Sequence, residues 1–271
     1  MVHKKFGILL NGGGNRVFFN LGFLQELRKH GIRPSLFVGV SASSAVMFEE
    51  IFGGNGESLK YFGDRLNKNK KNFYWINRPH FPHNGIYETS IKEIFEKYWN
   101  TSKSKVAWKI VAAKTKPNFV VLKCFISSFL LLLRGTALSN YILKSLGIKN
   151  VIFSSKDYFS KEEIINIIVG SSTIYPFICP HFYKKSLILD GGLFNVDSKS
   201  IFKGFDKVIV LRPVKGVSEV RDKKLYIFPS KKIPFNVLDY TNGDKLSEMY
   251  AFGKEEAQSQ LAAIKKYLQI D

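Results

Sequence analysis

The chain has 271 residues, 45% of them apolar, and a formal net charge of +19. That length and apolar content exclude a disordered chain and provide a full core for a single domain of the size α/β folds commonly reach. Two cysteines, Cys124 and Cys179, exclude a disulfide framework and fit a reducing, cytoplasmic compartment. The basic start, residues 1–5, is followed by only five apolar residues before Asn11, too few for a signal-peptide core.

Residues 6–10 read as a short buried strand, 11–15 as a tight turn, and 16–30 as a helix closed by Gly31 at its C-terminal cap. Gly12, Gly13 and Gly14 between strand and helix leave backbone N–H groups free to face an anion, and the positive end of the helix dipole reinforces them. A dinucleotide fingerprint would need a third glycine where Val17 stands, and an acidic residue to hold the ribose, yet residues 33–40 contain none. No Gly-Lys-Ser/Thr follows, as a P-loop would require. The loop therefore fits an oxyanion better than a nucleotide.

A second strand, 36–40, runs into Ser41 and then a small-residue, helix-like segment. This is the pattern that presents a nucleophilic serine on a sharp strand-to-helix turn, with small residues required on either side. Gly39 meets that requirement fully and Ser43 approximately; by itself the pentapeptide also occurs at ordinary strand–helix junctions. Further on, residues 68–75 interleave lysines with aromatics, as single-strand nucleic-acid binders do, but no RRM, KH, zinc-ligand or helix-turn-helix signature accompanies them. They read as a solvated face, and no nucleic-acid partner is expected.

Between Lys97 and Lys156 there is no Asp or Glu, against 11 Lys and Arg. A strand at 106–113 opens this tract. Within it, residues 119–133 are apolar at 12 of 15 positions. As a helix the run would reach about 22 Å, short of the ~30 Å hydrocarbon core of a bilayer. Two readings stand: a buried core segment, or an apolar surface amid unopposed lysines that docks on an anionic membrane. After a strand at 151–154, Ser160 and Glu163 form a capping box ahead of Ile164, Ile165, Ile167 and Ile168. A strand at 186–189 ends at Asp190, where Gly191 and Gly192 let a carboxylate approach a neighbour closely. Strands at 208–211 and 225–228 and an amphipathic helix at 245–268 complete the chain.

A serine nucleophile usually takes its proton acceptor from histidine. The five histidines are His3, His30, His80, His83 and His181. In the Ser–acid–His order His181 could serve only with an acid between residues 41 and 181, and no histidine lies after it. In the acid–His–Ser order only Glu26 precedes His30, four residues away on the same helix. Both triads are poorly served, which leaves Asp190.

Together these residues resemble the patatin-like phospholipase family. In that family a Gly-Gly-Gly-x-Arg/Lys-Gly loop forms the oxyanion hole, a Gly-x-Ser-x-Gly elbow carries the nucleophile, and the aspartate of Asp-Gly-Gly/Ala acts as base without histidine. Gly12, Gly13, Gly14 and Arg16 match the loop, Gly39 and Ser41 the elbow, and Asp190, Gly191 and Gly192 the base segment. Residues 171–176 resemble the proline-ended turn that precedes the aspartate, and Leu193, Phe194 and Asn195 its continuation. Val17 and Ser43 depart from the pattern where overpacking typically costs about 1–3 kcal/mol, so a slightly spread elbow is expected.

The resemblance implies a three-layer αβα fold with a mostly parallel sheet, one domain over 1–271, and an insertion at about 114–147. It implies a lipid acyl hydrolase of the phospholipase A or lysophospholipase type, with Ser41 as nucleophile and Asp190 as base. Gly12, Gly13, Gly14 and Arg16 would serve the oxyanion, and Gly39, Ser43, Gly191 and Gly192 would support elbow and turn. No metal or cofactor is implied. The partners expected are phospholipid and an anionic membrane surface, with the protein cytoplasmic and peripherally attached. An acyltransferase on the same dyad, or a catalytically silent lipid- or partner-binding module, are the alternatives.

Overall fold

In the computed structural model, which describes residues 5–76, 79–100, 106–133, 136–194, 196 and 200–270, strands and helices alternate around one sheet. Expectations that fall on residues 1–4, Arg134 and Asn195 lie outside the described residues. The strands are β1 (Phe6–Leu10), β2 (Leu36–Val40), β3 (Ala107–Thr115), β4 (Lys149–Ser154), β5 (His181–Tyr183), β6 (Ser186–Leu189), β7 (Lys207–Leu211), β8 (Glu219–Arg221) and β9 (Lys224–Ile227). The helices are α1 (Val17–Lys29), α2 (Ser43–Phe52), α3 (Glu57–Lys68), α4 (His83–Tyr98), α5 (Val120–Leu130), α6 (Ala137–Ser145), α7 (Lys161–Gly170), α8 (Asp244–Ser259) and α9 (Leu261–Leu268).

Strands β3, β2, β1, β7 and β9 run parallel side by side, and antiparallel strands flank them. Buried on both faces, the central strands must be apolar at successive positions, and β1 and β2 are buried throughout. Their side chains alternate between two cores. Ile8 and Leu10 face the helices α1, α2, α4 and α7; Leu9, Val38 and Val210 face the opposite layer, where Ile201 and Phe202 cover them. Beyond β3 that second layer continues with α5 and α6, whose Cys124, Leu130 and Leu143 pack on Leu187 and Leu189. The result is three layers, helix on sheet on helix.

Helix α8 crosses α1 at very short range. A Cβ at Gly22 would lie 2.0 Å from the Tyr250 carbonyl oxygen, and one at Gly253 would lie 2.1 Å from that of Phe19. The expected C-terminal helix is in fact two, meeting at Gln260, whose backbone at φ −98° and ψ 2° leaves the helical range; at the end of α8 the Ser259 hydroxyl donates to the Glu256 carbonyl at 2.9 Å. The capping box of α7 forms as expected, with both the Ser160 and Glu163 side chains engaged.

The register around β3 positions the site. Strand β4 lines one edge of β3 from Lys109 to Lys114, so the other edge is shared in series. Strand β2 occupies it as far as the pair Val40–Val111, and β6, running the opposite way, occupies it from the pair Leu189–Ala113. The next residues of β2 and β6 are Ser41 and Asp190. They meet head-on beside Ala112.

Candidate active site

Ser41 stands at the turn between β2 and α2 with φ of 55°, a left-handed conformation that a non-glycine residue adopts only where its surroundings impose it. The surroundings are tight. A Cβ at Gly39 would lie 2.8 Å from Ser44 Cα, and one at Gly12 would lie 2.7 Å from Ser41 Cβ. Both glycines are thus spaces that the elbow fills.

The Ser41 hydroxyl donates to Asp190 Oδ2 at 2.7 Å, and both residues are buried, at 7% and 3% exposure. Asp190 caps the 3-10 turn Gly191–Leu193, its Oδ1 accepting the Gly192 N–H at 2.7 Å. That second bond fixes the carboxylate plane, so Oδ2 is turned toward the serine. Gly191 makes the approach possible: a Cβ there would lie 2.0 Å from the Val111 carbonyl oxygen on β3.

The glycine loop lies above this pair. Asn11 N–H is bonded to Leu211, Asn15 N–H to Val237 and Arg16 N–H to Gly13. Between them, the N–H groups of Gly12, Gly13 and Gly14 have no acceptor among the described residues. Gly14 takes φ of 52°, and a Cβ there would lie 2.4 Å from the Val237 carbonyl oxygen. Arg16 is oriented through Nε, which donates to the Phe235 carbonyl at 3.0 Å. The departure at Ser43 proves constructive: its hydroxyl is buried, donates to the Asn11 carbonyl at 2.7 Å and accepts from Asn20 Nδ2 at 3.0 Å. Elbow and loop are tied together there, so the added volume has a place.

A cavity of about 460 Å³ opens over Ser41 and Asp190. It lies off the carboxyl ends of β1, β2 and β7, where ligands bind in open α/β sheets. Its cations are Arg16 and Arg212 and its acid is Asp190, while Leu131, Ile174, Phe194 and Val214 give it an apolar wall. Burial and, after it, the Asp190 carboxylate hold the Tyr87 phenol above its ordinary range, so it stays neutral and pairs with the Ser172 hydroxyl at 2.9 Å.

None of the described histidines lines the cavity. His83 packs against Tyr240 and Phe177 with Nε2 2.9 Å from the Leu238 carbonyl oxygen, and His181 lies beside Cys179 and Glu88. Among the described residues no group of three or more His, Cys, Asp or Glu is placed to hold a metal ion, and no helix is long and apolar enough to cross a membrane. Arg212 and Asn20 had no part in the sequence reading. Arg212 directly follows a parallel strand, as the glycine loop and Ser41 do, and Asn20 is the one polar residue in an otherwise apolar stretch of α1; these were the available signals.

The profile of the patatin-like phospholipase family matches residues 8–197. Among solved structures, the chain is similar to human GIVD cytosolic phospholipase A2, at 12% identity over 98% of this chain and 62% of that one, with a TM-score of 0.50. The same human protein in complex with methyl gamma-linolenyl fluorophosphonate gives 12% identity, 98% and 58% coverage and a TM-score of 0.47. VipD from Legionella pneumophila gives 10% identity, 96% and 67% coverage and 0.46. The chain spans less than two thirds of the human protein, and likeness at such identities concerns the fold alone. A comparison with curated protein sequences finds no significant match. With 190 residues matched, from β1 through the turn after Asp190, the chain belongs to the patatin-like phospholipase family.

Proposed function

We propose that the chain is a serine acyl hydrolase of phospholipids and lysophospholipids, working through Ser41 and Asp190. The observation that carries this reading is the 2.7 Å bond from the serine hydroxyl to a buried carboxylate, beneath three glycine N–H groups without an acceptor among the described residues. Asp190 takes the proton of Ser41 as its oxygen attacks the acyl carbonyl. The tetrahedral oxyanion is held by N–H groups of Gly12 to Gly14, a type of donor whose loss typically costs ~10²–10³ in rate. Collapse of that intermediate breaks the ester bond, and protonated Asp190 returns its proton to the departing lysophospholipid or glycerol oxygen. Water, deprotonated by Asp190, then attacks the acyl-serine ester, and fatty acid leaves as Ser41 recovers its proton.

The charge of the cavity supports the substrate class. Arg16 and Arg212 lie in the wall beside Ser41, and guanidinium groups suit phosphate geometry. The apolar wall of Leu131, Ile174, Phe194 and Val214 suits an acyl chain. The test is mass spectrometry of lipids released from mixed phospholipid vesicles. Wild type should release free fatty acid and lysophospholipid, and Ser41→Ala and Asp190→Asn should release neither above background. Equal release by all three proteins would overturn the proposal, and transfer of the acyl group to added alcohol in place of water would redirect it to an acyltransferase.

A further inference from the structure

The geometry points to an anionic lipid bilayer as the partner of a surface built from α5 and residues 73–76, a surface that presents the mouth of the Ser41 cavity to the lipid. Helix α5 is amphipathic in the reverse sense. It buries Lys123 and Ser127 beside Cys124 and Leu130, and it turns Val121, Leu122, Phe125 and Phe129 outward, the two phenylalanines at 61% and 58% exposure. The buried ammonium is held by Thr115 Oγ1 at 3.0 Å, Asn118 Oδ1 at 2.6 Å and the Lys116 carbonyl at 3.2 Å. A helix that only covered the sheet would place these side chains the other way round. Leu132, at 80% exposure, extends the outward face beyond the helix.

This face is continuous with the cavity rim. Leu131 lines the cavity, and the Ser128 hydroxyl accepts the Tyr175 N–H at 2.8 Å, next to Ile174 in the same wall. A train of ring contacts then leads away from α5. Phe125 meets Tyr175 at 6.3 Å; two residues on, Phe177 meets Phe81 at 4.9 Å, Phe81 meets Phe73 at 5.1 Å, and Phe73 meets Trp75 at 4.8 Å. Trp75 and Ile76 end that train with most of their surface exposed. An apolar patch of this extent, set on the rim of a site, marks an interaction surface.

Charge selects the occupant. The tract from Lys97 to Lys156 holds 11 basic residues and no acid. Lys114, Lys116, Lys144 and Lys149 are exposed around α5 and α6, and Lys68, Lys70 and Lys71 are exposed ahead of Trp75. Lys114 even stands directly opposite Lys149 in the β3–β4 ladder, a like-charge pairing that works against the fold. Apolar side chains amid unopposed lysines fit a layer whose interior is hydrocarbon and whose surface is anionic.

The role of this surface at the cavity mouth rests on the hydrolase reading above, and the test separates the two. Sedimentation with phosphatidylcholine vesicles, and with vesicles also containing phosphatidylserine, is measured for wild type, for Phe125→Glu/Phe129→Glu and for Trp75→Glu, alongside turnover of a soluble short-chain ester. Wild type should bind the anionic vesicles at least about tenfold more tightly than the neutral ones, and lose that preference at high salt. The variants should lose about tenfold or more of the binding while soluble-ester turnover stays at the wild-type level. Equal binding of both vesicle types by wild type, or wild-type binding by the variants, overturns the proposal. So does a lipid-free dimer in sedimentation velocity that the substitutions abolish, which would give the face to a second copy of the chain. Soluble-ester turnover absent in wild type, with vesicle binding as expected, would instead reject the hydrolase and leave the docking surface standing.

Discussion

Gly191→Ala is the substitution whose effect is set most directly by distances. The added Cβ would fall 2.0 Å from the Val111 carbonyl oxygen and 2.7 Å from its carbon, both backbone atoms of a central strand that is held on both edges. A carbon–oxygen contact needs roughly 3.2 Å, so the segment carrying Asp190 must retreat by about 1 Å, and Oδ2 moves off the serine by a similar amount. Misplacement of a catalytic group by 1 Å typically costs about 10² in rate. The assay is kcat on a soluble short-chain ester, with thermal melting as control. Gly85→Ala, where an added Cβ meets nothing within 4 Å, is the reference. Gly191→Ala should fall about 100-fold in kcat while remaining folded at the assay temperature, and Gly85→Ala should match wild type. Turnover by Gly191→Ala within about twofold of wild type would show that Asp190 need not be held where it is.

Ser43→Ala removes a buried hydroxyl bonded to Asn11 and Asn20 and should lower stability by about 1–3 kcal/mol, read from urea denaturation. A neutral result would mean that the link between loop and elbow carries no load. Arg212→Ala should raise KM for anionic phospholipid with less change on a neutral soluble ester; an equal loss on both would assign Arg212 to scaffolding. Burial pushes the Glu50 carboxyl up to about 7, only partly offset by Arg28 at 3.4 Å. The folded protein therefore holds this proton more tightly than the unfolded chain, whose glutamate titrates near 4.5. Stability is full below that value and is lost as pH rises through about 7, by roughly 3 kcal/mol. Denaturation at pH 5 and pH 8 should show that fall in wild type and a smaller one in Glu50→Gln; identical pH dependence would remove Glu50 as its source.

What could be read from the letters was local. Residues 6–16 and 36–43 hold strand, turn and helix start within a dozen positions, so glycine placement and apolar runs expose their geometry directly. Asp190 was legible because two glycines follow a short strand. That Ser41 and Asp190 meet was not, since it depends on β6 running antiparallel in line with β2 along one edge of β3, a pairing between segments about 150 residues apart. The apolar run at 119–133 left two readings open because periodicity does not say which face is inward. Here the phenylalanines face out and Lys123 faces in, held by partners on the β3–α5 turn. Helices α3 and α4 went unread although Leu59, Phe62 and Leu66, and then Tyr87, Ile91, Ile94 and Phe95, recur at helical spacing; packing such as Phe62 on Phe18 and Phe95 on Phe48 shows that those faces are the inward ones.

The proposed chemistry requires a serine activated by a carboxylate without imidazole, and covalent labelling by a fluorophosphonate reads that most directly. Peptide mapping should place the adduct on Ser41 in wild type, and the labelling rate should fall about 10²-fold or more in Asp190→Asn while His181→Gln labels as wild type does. An adduct on another residue, or Asp190→Asn labelling at the wild-type rate, would contradict it.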